Sequence, residues 1–367
     1  MVEARYSLAP QVVTVDFGVE PVYNALESLS LLPQVEALSG LGDWVTTTAA
    51  ALPLERLRFH DMLFDVLGHL FVEIAPPTIQ QRDFPAYVKA LAALDAQATA
   101  HALIESMRRA PLLYPEVGIA PEDIPTAETL LRDRAVFVQY VSQVNQCQNT
   151  GALETAHKLL NDPPALLAAV AEHFNWMWNE TLAEEWARVR PMIEESTAAY
   201  QRLEFYNLTA LEAIRAVTGR DMTGKMGSKL ETTDRLLFVP NAHIGPYISK
   251  WKQNGTLIIS FGARLPRGVH TPSSALSRSE LLVRLNALAD DTRLRILELL
   301  TQHEELCAQD IIERLGLSQS TISRHLSQLS ASGYITERRR EVAKCYSLNT
   351  DRVVDTVRSL TNFLSRQ

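Results

Sequence analysis

The stretch that most restricts what this 367-residue chain can become runs from Asp290 to Leu348. DTRLRILELL, CAQDIIERLG and LSQSTISRHLSQLSASGY each read as a short amphipathic helix, with apolar residues three and four apart. Asp290 or Asp291 suits the N-cap of the first, because a short carboxylate accepts from the free N–H groups of the opening turn. Gly316 ends the second, since glycine takes the left-handed conformation that closes a helix. Ser318 then caps the third. Two short helices separated by a turn of that length form a helix-turn-helix.

Phase within the third helix separates an inner face from an outer one. Ile322, His325, Leu326 and Leu329 fall at i, i+3, i+4 and i+7, so they share the buried side. His325 on that side reads as a satisfied core histidine. Gln319, Ser320, Ser323, Arg324 and Ser327 point the other way, with Ser318 and Thr321 at the helix start. A helix pattern alone would allow a merely solvated face. The segment beyond the helix argues against it: Glu337 to Lys344 (ERRREVAK) lies between the strand-like Tyr334-Ile335 and Tyr346-Ser347-Leu348. A hairpin carrying Arg338, Arg339, Arg340 and Lys344 is a wing able to reach phosphate or minor groove. The short polar helix face then suits a major groove, Arg324 reading guanine and Gln319 adenine. Double-stranded DNA is the expected partner. The net charge of -8 does not oppose this. Residues 273–367 carry 13 basic against 12 acidic side chains, so the acidity lies in the remainder, and a local basic surface can still hold phosphates.

The expected fold class is α+β, mainly α: a helical N-terminal domain with a small sheet, then a winged helix-turn-helix domain. Val12 to Phe17, Leu236 to Val239 and Thr256 to Phe261 read as three strands drawn from the two ends of the first domain. Leu54 to Val72, Phe84 to Arg109, Thr126 to Gln148 and Pro163 to Asn207 read as helical, punctuated by prolines. Leu265 to Ser279, rich in proline and serine, is the one linker-like stretch. It sets expected domains at 1–271 and 272–367. Asp351 to Gln367 is amphipathic, and its stripe needs a partner: the helix from Ser279 to Ala289, within the subunit or across a dimer. Leu281, Leu285, Val353, Val357, Leu360, Phe363 and Leu364 are the candidate interface, with the chain itself as partner.

LADDTRLRILELL followed by ELCAQDIIERLGLSQSTISRHLSQLSASGYI resembles the ArsR/SmtB-type winged-helix regulators, over about residues 278 to 366. Val12 to Leu32 and Asp234 to Arg264 look like the large N-terminal domain found ahead of some ArsR-type domains. The resemblance implies a homodimer built on the first and last helices of the C-terminal domain, bound to a palindromic operator and repressing by occlusion. The family's usual effector is a metal, and here the sequence departs from it. The helix site needs two thiolates in ELCxC, but the string is Glu305-Leu306-Cys307-Ala308-Gln309, and no histidine follows His325. No metal is expected at either family site, and no cofactor.

Other features bound the reading. No run of 18 apolar residues occurs, so no membrane partner is expected. Met1 to Pro10 lacks an apolar signal core, which points to the cytoplasm. Cys147, Cys307 and Cys345 are odd in number and form no CxxC pair, fitting reduced thiols better than a disulfide framework. Cys307, at a helix start, reads as an idle thiol or a redox sensor. Gly219 to Lys225 satisfies GxxxxGK, but Met226 replaces the magnesium-binding hydroxyl and a helix precedes the loop, so a plain turn is expected. Asp61, Asp65 and His69 share a helix face that could ligate a metal but reads as solvated or salt-bridged. Phe174, Trp176, Met177, Trp178 and Trp186 cannot all share one face, leaving core, subunit interface or a pocket for an apolar small-molecule effector. No nucleophile–base set has the spacing of a known catalytic family, so an enzyme is not expected. The alternatives to a ligand-sensing regulator are an enzyme, or an effector-free oligomerisation body, tethered to a DNA-binding module.

Overall fold

The computed structural model describes residues 13–36, 38, 41–68, 83–113, 117–206, 208–219, 222, 230, 233–245, 247–266, 278–340 and 343–365. The chain divides into two compact units. One holds Pro21–Val35 and Trp44–Arg188; the other holds Met1–Glu20, Glu36–Asp43 and Val189–Gln367. This division follows a different line from the expected boundary near residue 272, which lies outside the described residues.

The first unit is helical: α1 (Pro21–Ser30), α2 (Asp43–Ala51), α3 (Leu54–Asp61), α4 (Phe84–Ala92), α5 (Ala96–Leu113), α6 (Ala127–Arg132), α7 (Arg134–Asn145), α8 (Thr150–Leu160), α9 (Pro163–Met177) and the start of α10 (Ala183–Gln201). The starts follow a local rule. Asp83, Asp133, Asn149 and Asp162 each accept from an N–H of the first turn, and proline follows Asp162 directly where its missing N–H does no harm. Two turns are π-helical, Met62–Leu67 and Trp178–Leu182. Phe84, Tyr87, Phe174, Met62 and Met177 are fully buried. Trp176, Trp178 and Trp186 are only half-buried; the Arg56 guanidinium covers Trp176, 4.9 Å from its ring centre, and Phe84 packs on Trp178. The aromatic run is therefore core on one side only.

That core also contains polar groups whose pairing no pattern in the sequence points to. His60 and His173 are fully buried, with Nδ1 of the first 2.9 Å from Nε2 of the second. His60 Nε2 lies 2.8 Å from the Leu29 carbonyl, which can only accept, so the His60 proton sits on Nε2. His173 must then donate from Nε2 to His60, leaving its own Nδ1 as an acceptor with no partner. Burial holds both rings neutral: the His60 pKa falls to about 4 and that of His173 to about 3, the latter also through His60 and Arg56. Asp61 is half-buried, whereas Asp65 is exposed. Burial first, then Asp65, raises Asp61 to about 6. His69 lies outside the described residues.

In the second unit the sheet has four strands, β1 (Thr14–Phe17), β2 (Arg235–Asn241), β3 (Ile248–Gln253) and β4 (Thr256–Gly262), in the order β1-β2-β4-β3. β1 and β4 run parallel to β2, while β3 runs antiparallel to β4. The expected three strands thus become four. β3 (ISKWKQ) is a half-buried edge strand, too polar to show as an apolar run. Its signal was the turn: Asn254 and Gly255 both have positive φ (45° and 74°), the conformation a two-residue hairpin loop requires. Phe17, Tyr200, Phe238 and Phe261 pack between this sheet and the helices α10 and α11 (Ala210–Thr218). Gly219 closes α11 in the left-handed conformation at φ 73°. The GxxxxGK string therefore begins at a helix end, as a turn; Gly224 and Lys225 are outside the described residues. No helix among the described residues is long and apolar enough to cross a membrane.

Candidate nucleic-acid interface

The same unit continues with α12 (Arg278–Leu288), α13 (Asp291–Gln302), β5 (Leu306–Cys307), α14 (Ala308–Leu315), α15 (Gln319–Ser332), β6 (Ile335–Arg340), β7 (Ala343–Leu348) and α16 (Thr350–Leu364). The caps fall where the residue chemistry requires. Asp290 accepts from Arg293 N, Gly316 ends α14 at φ 65°, and Ser318 accepts from Thr321 N. Ile296, Leu300, Ile311, Ile322, Leu326, Leu329 and Tyr334 form the core beneath α14 and α15. Removing such side chains from water supplies about 1.5–3 kcal/mol each, enough to fix the angle at which α15 lies. Arg293 reinforces it. Its guanidinium, almost wholly buried, donates to the Ala287 and Asn286 carbonyls and to Gln328 Oε1, tying α12, α13 and α15 together. Tyr334 does the same on the far side, its hydroxyl 3.1 Å from the Arg284 carbonyl and 3.0 Å from Thr356 Oγ1.

On the outer side of α15, Gln319, Ser320, Ser323, Arg324 and Ser327 are all exposed. Ser318 and Thr321 have other work. The Ser318 hydroxyl caps the helix and lies within hydrogen-bond distance of Ser320 and Thr321. β6 and β7 form an antiparallel hairpin pairing Arg338 with Cys345, Arg339 with Lys344 and Arg340 with Ala343. The three arginine side chains are not among those described. Lys344, half exposed, faces Glu337 at 3.3 Å, an ion pair that the strand pattern does not announce. A cleft of about 550 Å³ lies between α15 and the hairpin, lined by Gln319, Ser323, Ser327 and Lys344. Tyr247, just before β3, also lines it, which no local pattern signals.

Three expectations change here. His325 is buried as expected, but its Nδ1 makes no hydrogen bond, with the Asp290 carboxylate 3.5 Å away. Burial lowers its pKa, with Asp290 pulling the other way and Arg293 and Arg324 adding to the fall. The cysteines are not three separate thiols. Cys307 and Cys345 are disulfide-bonded, 38 residues apart, and Cys147 alone is free. Spacing could not show this, because the two meet only through the β5–β7 register. Gln309 does remove the second thiolate of the helix string, yet a second sulfur reaches Cys307 from the hairpin. Lastly, α16 divides the expected interface. Leu281 is buried inside the chain, while Leu285, Val353 and Leu360 are half-buried. Val357, Phe363 and Leu364 stay exposed, 59%, 39% and 70% respectively, as a stripe no part of this chain covers among the described residues. α12 and α16 do pair within the chain, through Arg284 and Asp355 at 2.7 Å.

A capped helix pair that fixes one helix with a polar, exposed face beside a basic hairpin defines a helix-turn-helix module. Residues 290–337 match the model of the bacterial regulatory proteins of the arsR family. The chain is 35% identical over 80 residues to the transcriptional repressor SdpR of Bacillus subtilis, covering 22% of this chain and 88% of that one. It is 36% identical over 85 residues to an arsenical resistance operon repressor of Staphylococcus aureus, 23% of this chain and 81% of that one. It is 42% identical over 64 residues to the arsenic resistance transcriptional regulator ArsR1 of Pseudomonas putida, 17% of this chain and 50% of that one. The chain belongs to the arsR family through its C-terminal region, and a large N-terminal region precedes the match.

Proposed function

We propose that this chain is a sequence-specific DNA-binding transcription regulator that represses as a homodimer on a palindromic operator. The observation that carries the reading is the two-sidedness of α15. Ile322, Leu326 and Leu329 are buried to 1% exposure or less, while Gln319, Ser323, Arg324 and Ser327 stand in solvent beside the hairpin. A helix held so firmly on one side presents the other as a rigid reading edge for a major groove. The hairpin is then the wing of a winged helix, with Arg338, Arg339, Arg340 and Lys344 on phosphate or minor groove. Val357, Phe363 and Leu364 on α16 supply the apolar contact across a two-fold axis. Repressor names among the relatives support the direction of control. The helical unit is the sensing part, taking an apolar small molecule, and no enzymatic role is assigned to it.

Footprinting on the DNA upstream of its own coding sequence, with duplexes selected from a random library, tests this. Two protected half-sites related by a palindrome, centred about one helical turn apart or slightly more, are expected. Binding with no preference over random duplex would overturn it.

A further inference from the structure

The hairpin assigned to DNA contact is joined to the start of α14, the helix before α15, by a covalent bond that the DNA-binding reading does not use. β5 has two residues, pairing Leu306 with Tyr346 and Cys307 with Cys345. Cys307 is also the N-cap of α14, the first helix of the helix-turn-helix. Cys345 lies in β7, directly across from Arg338 and next to Lys344. The bond therefore ties the start of the helix pair to the middle of the hairpin. Access to it is one-sided. Cys307 is half-buried and lines the cleft that Gln319, Ser323 and Lys344 also line, whereas Cys345 has no exposed surface.

We propose that Cys307 and Cys345 form a redox-modification site whose disulfide and dithiol states set the affinity of the α15 face for DNA. The inference rests on the DNA-binding reading above. Hydrogen peroxide or another two-electron peroxide is the oxidant. The Cys307 sulfur, the one reachable from solvent, attacks a peroxide oxygen. An S–O bond forms, the O–O bond breaks and one water leaves, giving a sulfenic acid. The Cys345 sulfur then attacks Cys307 Sγ; the S–S bond forms, the S–O bond breaks and the second water leaves. Two thiols have lost two protons and two electrons, and the peroxide has become two waters. Reduction starts where access is, with a small thiolate attacking Cys307 Sγ and releasing Cys345. A second thiol frees Cys307.

The bonded state is the tighter DNA binder. β5 has only two residue pairs, so the bond adds a covalent tie to the apolar contacts between the start of α14 and the hairpin, and preorganised surfaces give up less freedom on binding. Reduction leaves the α14 start held by the two-residue strand and the apolar core around Leu306, Ile311 and Tyr346, without a covalent tie. Sequence spacing hides such a site; strand register makes it.

The test uses the full chain, reduced with dithiothreitol or treated with hydrogen peroxide. Thiols are counted by alkylation after unfolding and mass spectrometry. Binding is measured on a duplex selected from a random library by the reduced protein, and on unselected random duplex. The reduced chain should be alkylated at three cysteines and the oxidised chain only at Cys147. Oxidation should tighten the selected duplex roughly tenfold, as modest preorganisation would, and dithiothreitol should reverse it. Cys307→Ser, which keeps a good N-capping residue, should bind like the reduced protein under both conditions. Cys345→Ala should do the same by a different substitution. Three alkylatable thiols after peroxide, a disulfide without change in affinity, or a response surviving in both variants would each overturn the proposal. A chain that binds duplex but does not oxidise removes the switch alone. One that oxidises but binds no duplex removes the DNA-binding reading and the switch with it.

Discussion

In α15 the polar side chains Gln319, Ser320, Ser323, Arg324 and Ser327 stand outside and, His325 apart, the inner face is apolar; in α9, His173 has no exposed surface and is hydrogen-bonded to His60. The first arrangement follows from helical phase. Polar groups at the exposed positions keep their water until a partner replaces it, so they add specificity at little cost to folding. The second follows phase as well, with Val170, His173, Phe174 and Met177 at i, i+3, i+4 and i+7, but here each buried imidazole must stay neutral to be tolerated. A helix that meets a partner from outside can be read along its length. A polar pair enclosed by several helices belongs to the packing, and its effects appear in stability before they appear in binding.

The sharpest way to break this contrast is pH. Both imidazoles are held below the ordinary value of 6.5 in the folded chain, so the unfolded chain takes up protons first. The stability they contribute is fully present above that value and is lost as pH falls toward about 4 and about 3. Each ring can remove as much as about 1.4 kcal/mol per pH unit in that window. Urea unfolding at pH 7.5 and pH 5 should show the helical unit weakening more than the helix-turn-helix region, although Asp61, raised to about 6, offsets part of that loss and His325 adds a loss of its own to the latter region. His60→Leu combined with His173→Phe should flatten the dependence. An unchanged pH slope in that double variant would show that the pair is not the proton-linked element.

Assembly comes next in size. Charge placed on the exposed stripe, with Val357→Glu and Phe363→Glu, should abolish dimerisation and operator binding while the helical unit keeps its melting behaviour. Sedimentation showing a wild-type monomer at micromolar concentration would remove the two-fold arrangement. A variant that stays dimeric would move the interface to the other region of the molecule.

Arg324→Ala and Gln319→Ala sharpen the contrast from the binding side. Each should weaken operator binding by about 1–3 kcal/mol and leave random DNA nearly untouched. Equal weakening on both would turn the outer face of α15 into a plain solvated surface. The smallest effect belongs to the hairpin. For every phosphate no longer neutralised when Arg338, Arg339, Arg340 or Lys344 is replaced by Ala, the log–log salt slope should fall by about 0.9. For Lys344 the change should be partial, because Glu337 already competes for it at 3.3 Å. An unchanged slope in the quadruple variant would mean that the hairpin does not touch the backbone.

Much of the C-terminal region was legible because its determinants are local. Asp290, Gly316 and Ser318 act within a turn of where they stand, and Ile322, His325, Leu326 and Leu329 declare their face by spacing alone. Local information also existed for β3, in Asn254-Gly255, but the strand it announced was polar and lay at a sheet edge. The candidate site was legible as a set of residues but not in its roles. Ser318 and Thr321 turn out to be occupied with each other, and Lys344 with Glu337.

What the amino-acid order by itself determined is therefore the helix-turn-helix, its phase and its basic hairpin, since backbone caps and helical periodicity act over three or four residues. What only the tertiary structure decided is everything made by segments far apart in the chain: the sheet that joins Thr14 to Thr256 through Arg235, the His60–His173 pair 113 residues apart, and the bond between Cys307 and Cys345. The physical reason is the same in each. A hydrogen bond or a disulfide needs its atoms within a few ångström, and sequence spacing carries no information about that distance once strand register and helix packing set it.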